Sequence, residues 1–297
     1  MTVHFVIPFY GRPALLVETI TSICALTNPD WRLTVIDDGW PTTEIPDHIG
    51  ELADPRITYR RNAERQGTAG NLYRCLQVAA EGDAEIVNFL GADDLVEPVY
   101  VDVVEQAFAR HPDAVMVQPG VTVIDEEGRP VMPLGDRIKR LSGRSARRRG
   151  VTSGEEAVTR LMHGNWLYWP SVALRREALS RTGPWVDVDG ISDFAHAVDV
   201  LLGGGTLVVD PTPAFRYRRH ASNDSSTRAA SGVRWEQEDR YFRQIAATLR
   251  DRGWRRAARA AELHLSSRLH QSLVRASAVA ARARSAGARP LDRGRTA

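Results

Sequence analysis

Ile86-Val87-Asn88-Phe89-Leu90-Gly91-Ala92-Asp93-Asp94 carries a largely apolar run straight into two adjacent carboxylates. A run of this length bounded by glycine reads as a buried strand, so the acids stand at its C-terminal end. Hydrocarbon would anchor the strand while hard oxygen ligands sit at the sheet edge, where a divalent cation and an anion can meet. Taken alone, Gly91-Ala92-Asp93-Asp94 equally describes a turn in which Asp94 caps the next helix. The neighbouring strands decide between the two.

Working outward, the first half alternates strand and helix. Val3 to Ile7 is apolar and ends at Pro8, and Leu16, Ile20 and Ile23 then fall on one helical face. Leu33 to Ile36 forms a second strand ending on Asp37-Asp38-Gly39, and Arg56 to Tyr59 a short third. Leu72, Cys75, Leu76 and Ala79 mark a helix, the run to Leu90 is the fourth strand, and Val99 to Ala109 is helical again. Val115 to Gln118 and Val121 to Ile124 are strand-like. Short apolar strands between amphipathic helices predict an α/β fold with a mainly parallel sheet flanked by helices, and ligands bind such sheets beyond the carboxyl ends of the strands.

Polarity rises over Asp136 to Gly150, which reads as an exposed, mobile basic loop. Helical pattern returns at Gly154 to Met162 and Arg175 to Arg181, and Thr206 to Val209 is a late strand. From Arg234 the chain is helical and arginine-rich, with Ile245, Leu249, Leu265, Leu269 and Leu273 as apolar stripes; residues 285–297 read as a disordered tail.

Bulk properties narrow the possibilities. With 297 residues, 43% hydrophobic and 26% charged, the chain can bury one large core with a smaller appendage. A net charge of +2 gives no reason to expect nucleic acid as a partner. It conceals an asymmetry, with seven basic residues and no acid from Arg137 to Arg149. Cys24 and Cys75 sit in helix-like patterns and read as core residues of a reducing compartment. The N-terminus opens directly on a strand, and no stretch of roughly 18 apolar residues appears. The expectation is a cytoplasmic protein.

Three strand ends therefore carry informative residues: Pro8-Phe9-Tyr10, Asp37-Asp38-Gly39 and Gly91-Ala92-Asp93-Asp94. Two acidic ends beside an aromatic loop suit a polar ring and a metal-held diphosphate. Asn62 to Asn71 adds Gly67 and Gly70 ahead of a helix whose N-terminal amides could face an anion. The order Val-Ile-Pro-Phe-Tyr, Val-Ile-Asp-Asp-Gly, Asn-x4-Gly-x3-Asn and Phe-Leu-Gly-Ala-Asp-Asp resembles the inverting family 2 glycosyltransferases of the GT-A fold, over residues 3 to 222.

The resemblance implies a catalytic domain over 1–222. Its nucleotide-sugar-binding half would be 1–125 and its acceptor half 151–222, with the basic loop at 136–150; a basic helical extension at 223–284 would follow. It implies that Pro8 and Tyr10 line the nucleotide pocket, that Asp37 faces a base (commonly uracil), and that Asp38 lies near ribose and phosphates. Gly67, Asn71, Asp93 and Arg219 join the donor site. Asp93, Asp94 and His220 would hold Mn²⁺ or Mg²⁺ on the diphosphate, with Arg218 also available to phosphate. Gly91 stands where the family's motif carries its first aspartate. Asp193, in Gly190-Ile191-Ser192-Asp193-Phe194, matches the general base although Ser192 replaces the usual glutamate; Asp187, Asp189 and Asp199 are alternatives. Trp166 and Trp169 would face the acceptor, unless they are core.

The implied reaction moves a sugar from a nucleotide-diphospho-sugar, a UDP-sugar by expectation, to a saccharide, lipid-linked or small-molecule acceptor. A nucleotide-sugar-binding protein without catalysis, or a nucleotidyltransferase of related fold, stays open. The latter is disfavoured because Pro8 to Pro13 lacks a glycine-rich loop. The C-terminal basic helices could rest on an anionic membrane at its inner face, form a homodimer arm, or cover the catalytic domain.

Overall fold

The structure, a computed structural model, describes residues 1–144, 150–183, 191–219 and 233–264. Its strands are β1 (Val3–Phe9), β2 (Trp31–Asp37), β3 (Ile57–Arg61), β4 (Ile86–Phe89), β5 (Leu95–Val96), β6 (Ala114–Ile124), β7 (Val151–Ser153), β8 (Ala173–Arg175) and β9 (Thr206–Arg218). They join in one sheet of order β3-β2-β1-β4-β8-β6-β9-β5, with β7 on the side of β9. β1 to β4, β6 and β9 run one way; only the two- and three-residue strands β5, β7 and β8 oppose them. The mainly parallel sheet expected from the alternation is present. The two stretches read at 115–118 and 121–124 are one strand, broken in register at Gly120.

Helices cover both faces. Along β1, Val3, Phe5, Ile7 and Phe9 point to one core and Val6 to the other, the two-residue period of a strand buried on both sides. The first core receives α1 (Pro13–Cys24), α2 (Glu44–Leu52) and α4 (Tyr100–Arg110). The second receives α3 (Gly67–Glu81), α6 (Gly154–His163), α7 (Ser192–Leu202), α8 (Val233–Asp251) and α9 (Arg255–Leu263). The expected apolar positions Leu16, Ile20, Ile23, Cys75, Leu76 and Ala79 are all buried.

Two sequence expectations need correcting, and one left open is narrowed. Residues 134–142 form a helix, α5 (Leu134–Ser142), where a loop was expected, because Asp136 anchors it to the body of the protein. Cys24 faces solvent rather than the core, since it lies on the outer side of the last turn of α1. The described part of the C-terminal extension is a cover: Tyr241, Phe242, Ile245 and Leu249 of α8 and the alanines of α9 are buried on α6 and α7. Leu265, Leu269, Leu273 and the tail at 285–297 lie outside the described residues. Among the described residues no helix is long and apolar enough to cross a membrane.

Among the buried histidines, His4 and His196 have a pKa that burial lowers from 6.5 to about 4. Their unfolded forms take up protons that the native forms refuse, so stability is full above pH 6.5 and declines toward pH 4. Each withheld proton costs roughly 1.4 kcal/mol per pH unit across that window. Denaturant midpoints between pH 7 and 5 should fall with this slope, and His196→Phe should remove about half of it.

Candidate active site

The order of the strands reverses between the parallel strands β1 and β4, where the sheet grows outward from β1 on both sides. Loops leaving the carboxyl ends of these two strands diverge and open a crevice. Pro8-Phe9-Tyr10 leaves one strand, Gly91-Ala92-Asp93-Asp94 the other, and Asp37-Asp38 ends the neighbouring β2. The structure thus brings the three expected strand ends to one edge.

The second-strand acids face inward. Asp37 is buried, accepting the Trp40 backbone N–H at 2.7 Å on Oδ1 and the Tyr59 hydroxyl on Oδ2, with Arg61 Nη1 at 3.7 Å. Burial, and then this bond to a carboxylate, pushes the Tyr59 phenol up to about 12. Asp38 accepts from Asn62 Nδ2 (2.9 Å), Gln66 N (2.7 Å) and Gly67 N (2.8 Å). The anion at the N-terminus of α3 is therefore the protein's own carboxylate. Gly67 has φ +73°, which lets the chain turn its amide onto Asp38. Asn71 is buried and structural, donating to Ile36 O at 3.0 Å and accepting from Asn62 at 2.9 Å.

What these acids leave outward is aromatic and basic. Tyr10 is 47% exposed, with the Arg65 guanidinium 3.8 Å over its ring and Trp40 edge-on at 5.4 Å. Pro8 is partly buried in β1 beside Ile36. Trp40 and Arg65 were not singled out from the sequence; their only signal there is closeness to Asp38 and to Gly67.

The fourth-strand acids divide their work. Asp94 is buried, and its Oδ1 accepts the Arg218 backbone N–H of β9 at 2.7 Å. Burial, reinforced by neighbouring Asp93, raises its carboxyl well above the usual range. Asp93 is only partly buried. A Cβ on Gly91 would lie 2.5 Å from Asp94 Oδ2 and 3.0 Å from Asp93 Oδ1, so both carboxylates reach over this glycine. That accounts for glycine where the resembling motif has an aspartate: the space is taken by the two acids that follow.

Beyond Asp94 the chain continues into a second cluster. Arg219 meets Asp136 through two 3.0 Å bonds, and Tyr168 donates to the same carboxylate at 3.0 Å. The fork expected to hold phosphate is thus closed on an acid of α5. Arg218 is likewise spent internally, donating to Asp93 O, Glu126 O and Glu18 Oε2. The phenol of Tyr217, with the Arg219 guanidinium 4.8 Å over its ring, is pushed up by burial and opposed by Arg219, while Asp94, Asp93 and Asp193 all raise it further. Carboxylates from both halves of the chain therefore bear electrostatically on one phenol. Tyr217 and Asp136 were missed as site residues because nothing local marks them.

Asp193 lies in the first turn of α7, where its charge complements the helix dipole, and its Oδ1 accepts Phe194 N at 2.8 Å. It is not the N-cap; Ile191 is. Asp199 is held on Gly183 N at 3.1 Å, and Asp187, Asp189 and His220 lie outside the described residues. Trp166 is wholly buried and offers no face to a ligand, so its assignment to the acceptor is corrected to core. Trp169 is packed between Phe89 at 6.2 Å and His196 at 6.4 Å. Among the described residues no cluster of three or more His, Cys, Asp or Glu could cage a metal. Asp93 and Asp94 alone fit one, as two mutually repelling carboxylates that a cation would relieve, with substrate oxygens and water completing the shell.

A family model described as Glycosyl transferase family 2 matches residues 4–179. The uncharacterized protein y4gI of Sinorhizobium fredii (strain NBRC 101917 / NGR234) is 30% identical over 131 residues, which are 42% of this chain and 14% of that protein. Among solved structures, S. aureus TarS 1-349 in complex with UDP-GlcNAc superposes with TM-score 0.62 at 13% identity, covering 82% of this chain and 66% of that one. The same protein in complex with UDP gives 0.57 at 12%, covering 82% and 72%. At this identity the likeness establishes the GT-A fold alone.

The geometry separates scaffold from chemistry. Asp38→Ala should destabilise by about 2–4 kcal/mol, through three lost bonds to a charged group at a helix start. Gly91→Asp, although it completes the resembling motif, should cost about 1–3 kcal/mol by overpacking two held carboxylates. Urea unfolding in the presence of chelator measures both.

Proposed function

Because the chain belongs to glycosyl transferase family 2, we propose that it transfers a sugar from a nucleotide-diphospho-sugar to an acceptor hydroxyl with inversion, Asp193 acting as general base. The observation that carries this reading is the gathering of Pro8-Phe9-Tyr10, Asp37-Asp38 and Gly91-Ala92-Asp93-Asp94 at the carboxyl edge of the parallel strands β1, β2 and β4. An acid pair after β4 for the diphosphate and a separate carboxylate, Asp193 on α7, for the acceptor would suit a single displacement.

In this reading the donor's base lies against Tyr10, edged by Trp40 and covered by Arg65. Asp37 and Asp38 act at one remove, holding the loops that form that pocket. The complexes of TarS with UDP-GlcNAc and UDP, on a similar fold, make UDP the first nucleotide to test. Asp193 takes the acceptor's proton while the acceptor oxygen bonds to the anomeric carbon from the face opposite the diphosphate. The anomeric C–O bond breaks with its electron pair on the leaving diphosphate, and the configuration inverts. A Mn²⁺ or Mg²⁺ ion held by Asp93 and Asp94 would, when bound, neutralise charge on that leaving group. His220 is a further candidate ligand on sequence grounds.

Asp193 suits the role because it is partly exposed and makes a single described hydrogen bond, unlike Asp37, Asp38 and Asp94. The helix under it is gripped by packing: Phe194 meets Tyr241 and Phe242, each with ring centroids 5.9 Å away. A base on so firmly seated a turn keeps its position without needing bonds of its own.

Two measurements test the proposal together. A melting screen of UDP-, GDP- and dTDP-sugars with Mn²⁺ should single out one nucleotide, with about 2.7 kcal/mol of stabilisation at a hundredfold excess over Kd. Asp193→Asn should keep that shift while losing about 10²–10⁴-fold in transfer. Asp93→Ala should lose the metal-dependent part of the shift. Full turnover in Asp193→Asn would remove the base assignment, and a flat screen across all donors would remove the reaction.

A further inference from the structure

Helix α5 is built inside out. Its inner side is polar: Asp136 is buried against Arg219 and Tyr168, and Lys139 Nζ lies 4.2 Å over the Tyr168 ring. Its outer side is apolar, with Leu134 70%, Ile138 44% and Leu141 67% exposed. At about 100° per residue these three fall within an arc of roughly 60°, opposite Asp136. Arg137 flanks that arc, Arg140 lies on the same side further round toward Asp136, and exposed Arg144 follows the end of the helix. The only acid from 134 to 144 is Asp136, which is already neutralised within the fold. Amphipathic helices of soluble proteins orient the other way, with leucines on the core.

We propose that α5 is an interfacial helix that seats this face of the protein on an anionic lipid bilayer. Leu134, Ile138 and Leu141 enter the boundary between headgroups and acyl chains, and Arg137, Arg140 and Arg144 meet lipid phosphates. Two observations choose the bilayer over a protein. Three side chains on two turns offer far less than the roughly 800 Å² per partner of a standard protein interface. An apolar arc flanked by cations with no free acid among them matches an anionic lipid surface in both its layers.

The C-terminal helices are less suited to this task. Ile245 and Leu249 of α8 and Ala257, Ala258 and Ala261 of α9 are turned inward, which leaves no comparable apolar arc on their described part. The location of α5 also gives the contact a purpose. Asp136 holds Arg219, the next residue after the Arg218 amide that binds Asp94, so the lipid seat lies at the rim of the acid cluster.

The test is co-sedimentation of the full chain with phosphatidylcholine vesicles, with and without a third of phosphatidylglycerol, at low and high salt. The wild type should pellet with the anionic vesicles and be released by salt. L134S/I138S/L141S should weaken binding at least about tenfold, and R137Q/R140Q should lose the preference for phosphatidylglycerol. All these side chains face solvent, so melting temperatures should hold; R137Q/R140Q serves if the triple variant is insoluble. Absence of pelleting at low salt overturns the proposal. Equal pelleting of wild type and both variants overturns it too and moves the contact to the C-terminal arginines. A dimer in sedimentation velocity that the triple variant dissolves would overturn it in favour of a second copy. Donor turnover is not read, so the outcome is independent of the proposed reaction.

Discussion

The bond from the Arg218 amide to the Asp94 carboxylate, 2.7 Å long and buried, is the contact on which the site depends. It joins the end of β4 to the end of β9, which are 124 residues apart. The Arg218 side chain then binds Asp93 O, Glu126 O and the Glu18 carboxylate, tying the acid loop, the turn after β6 and α1 into one block. At 2% exposure its guanidinium has no water to fall back on, and such a charge is kept only where its donors are met. The geometry of Asp93 therefore follows from a knot that its own residue type does not tie.

The same division runs through the whole edge. Of the carboxylates that the strand ends present, Asp37 and Asp38 are consumed in holding loops, Asp94 commits one oxygen to the Arg218 amide, and Asp136 holds α5. Inward acids buy rigidity, and Asp93 and Asp193 are left partly exposed. A desolvated carboxylate that accepts two or three N–H groups positions a loop well because losing it costs more than an ordinary hydrogen bond. Acidity at a strand end is thus a marker of the site, but it does not say which acid touches substrate.

How far the chain could be read follows from the range of each interaction. β1 to β4 and their helices were legible because hydrophobic period and strand-ending acids are local, and Leu16, Ile20, Cys75 and Leu76 fell where their spacing put them. β5, β7 and β8 were not: two or three residues carry no period, and their strand character comes from distant partners such as Phe215 for Val96 and Val87 for Leu174. In the site, Asp93 and Asp193 were legible as acids in motifs. Tyr217 and Asp136 were not, because their importance lies in what folding brings beside them. Trp166 illustrates the converse, since an aromatic-dense loop reads alike whether its rings face a ligand or the core.

α5 was misread for a related reason. Basic and polar composition over 136–150 suggests solvation, and in a soluble context leucines so isolated contribute little to any core. The structure reverses the inference, because an ion pair with Arg219 holds the helix and hydrophobic burial does not. An element anchored by polar groups is free to turn its apolar residues outward, whereas one anchored by leucines is not. Asp136 therefore performs two tasks that the sequence keeps apart: it holds Arg219, just past the end of β9, and sets the orientation of the apolar arc. The arrangement of the acid cluster and the surface it presents to its surroundings are coupled through that one carboxylate.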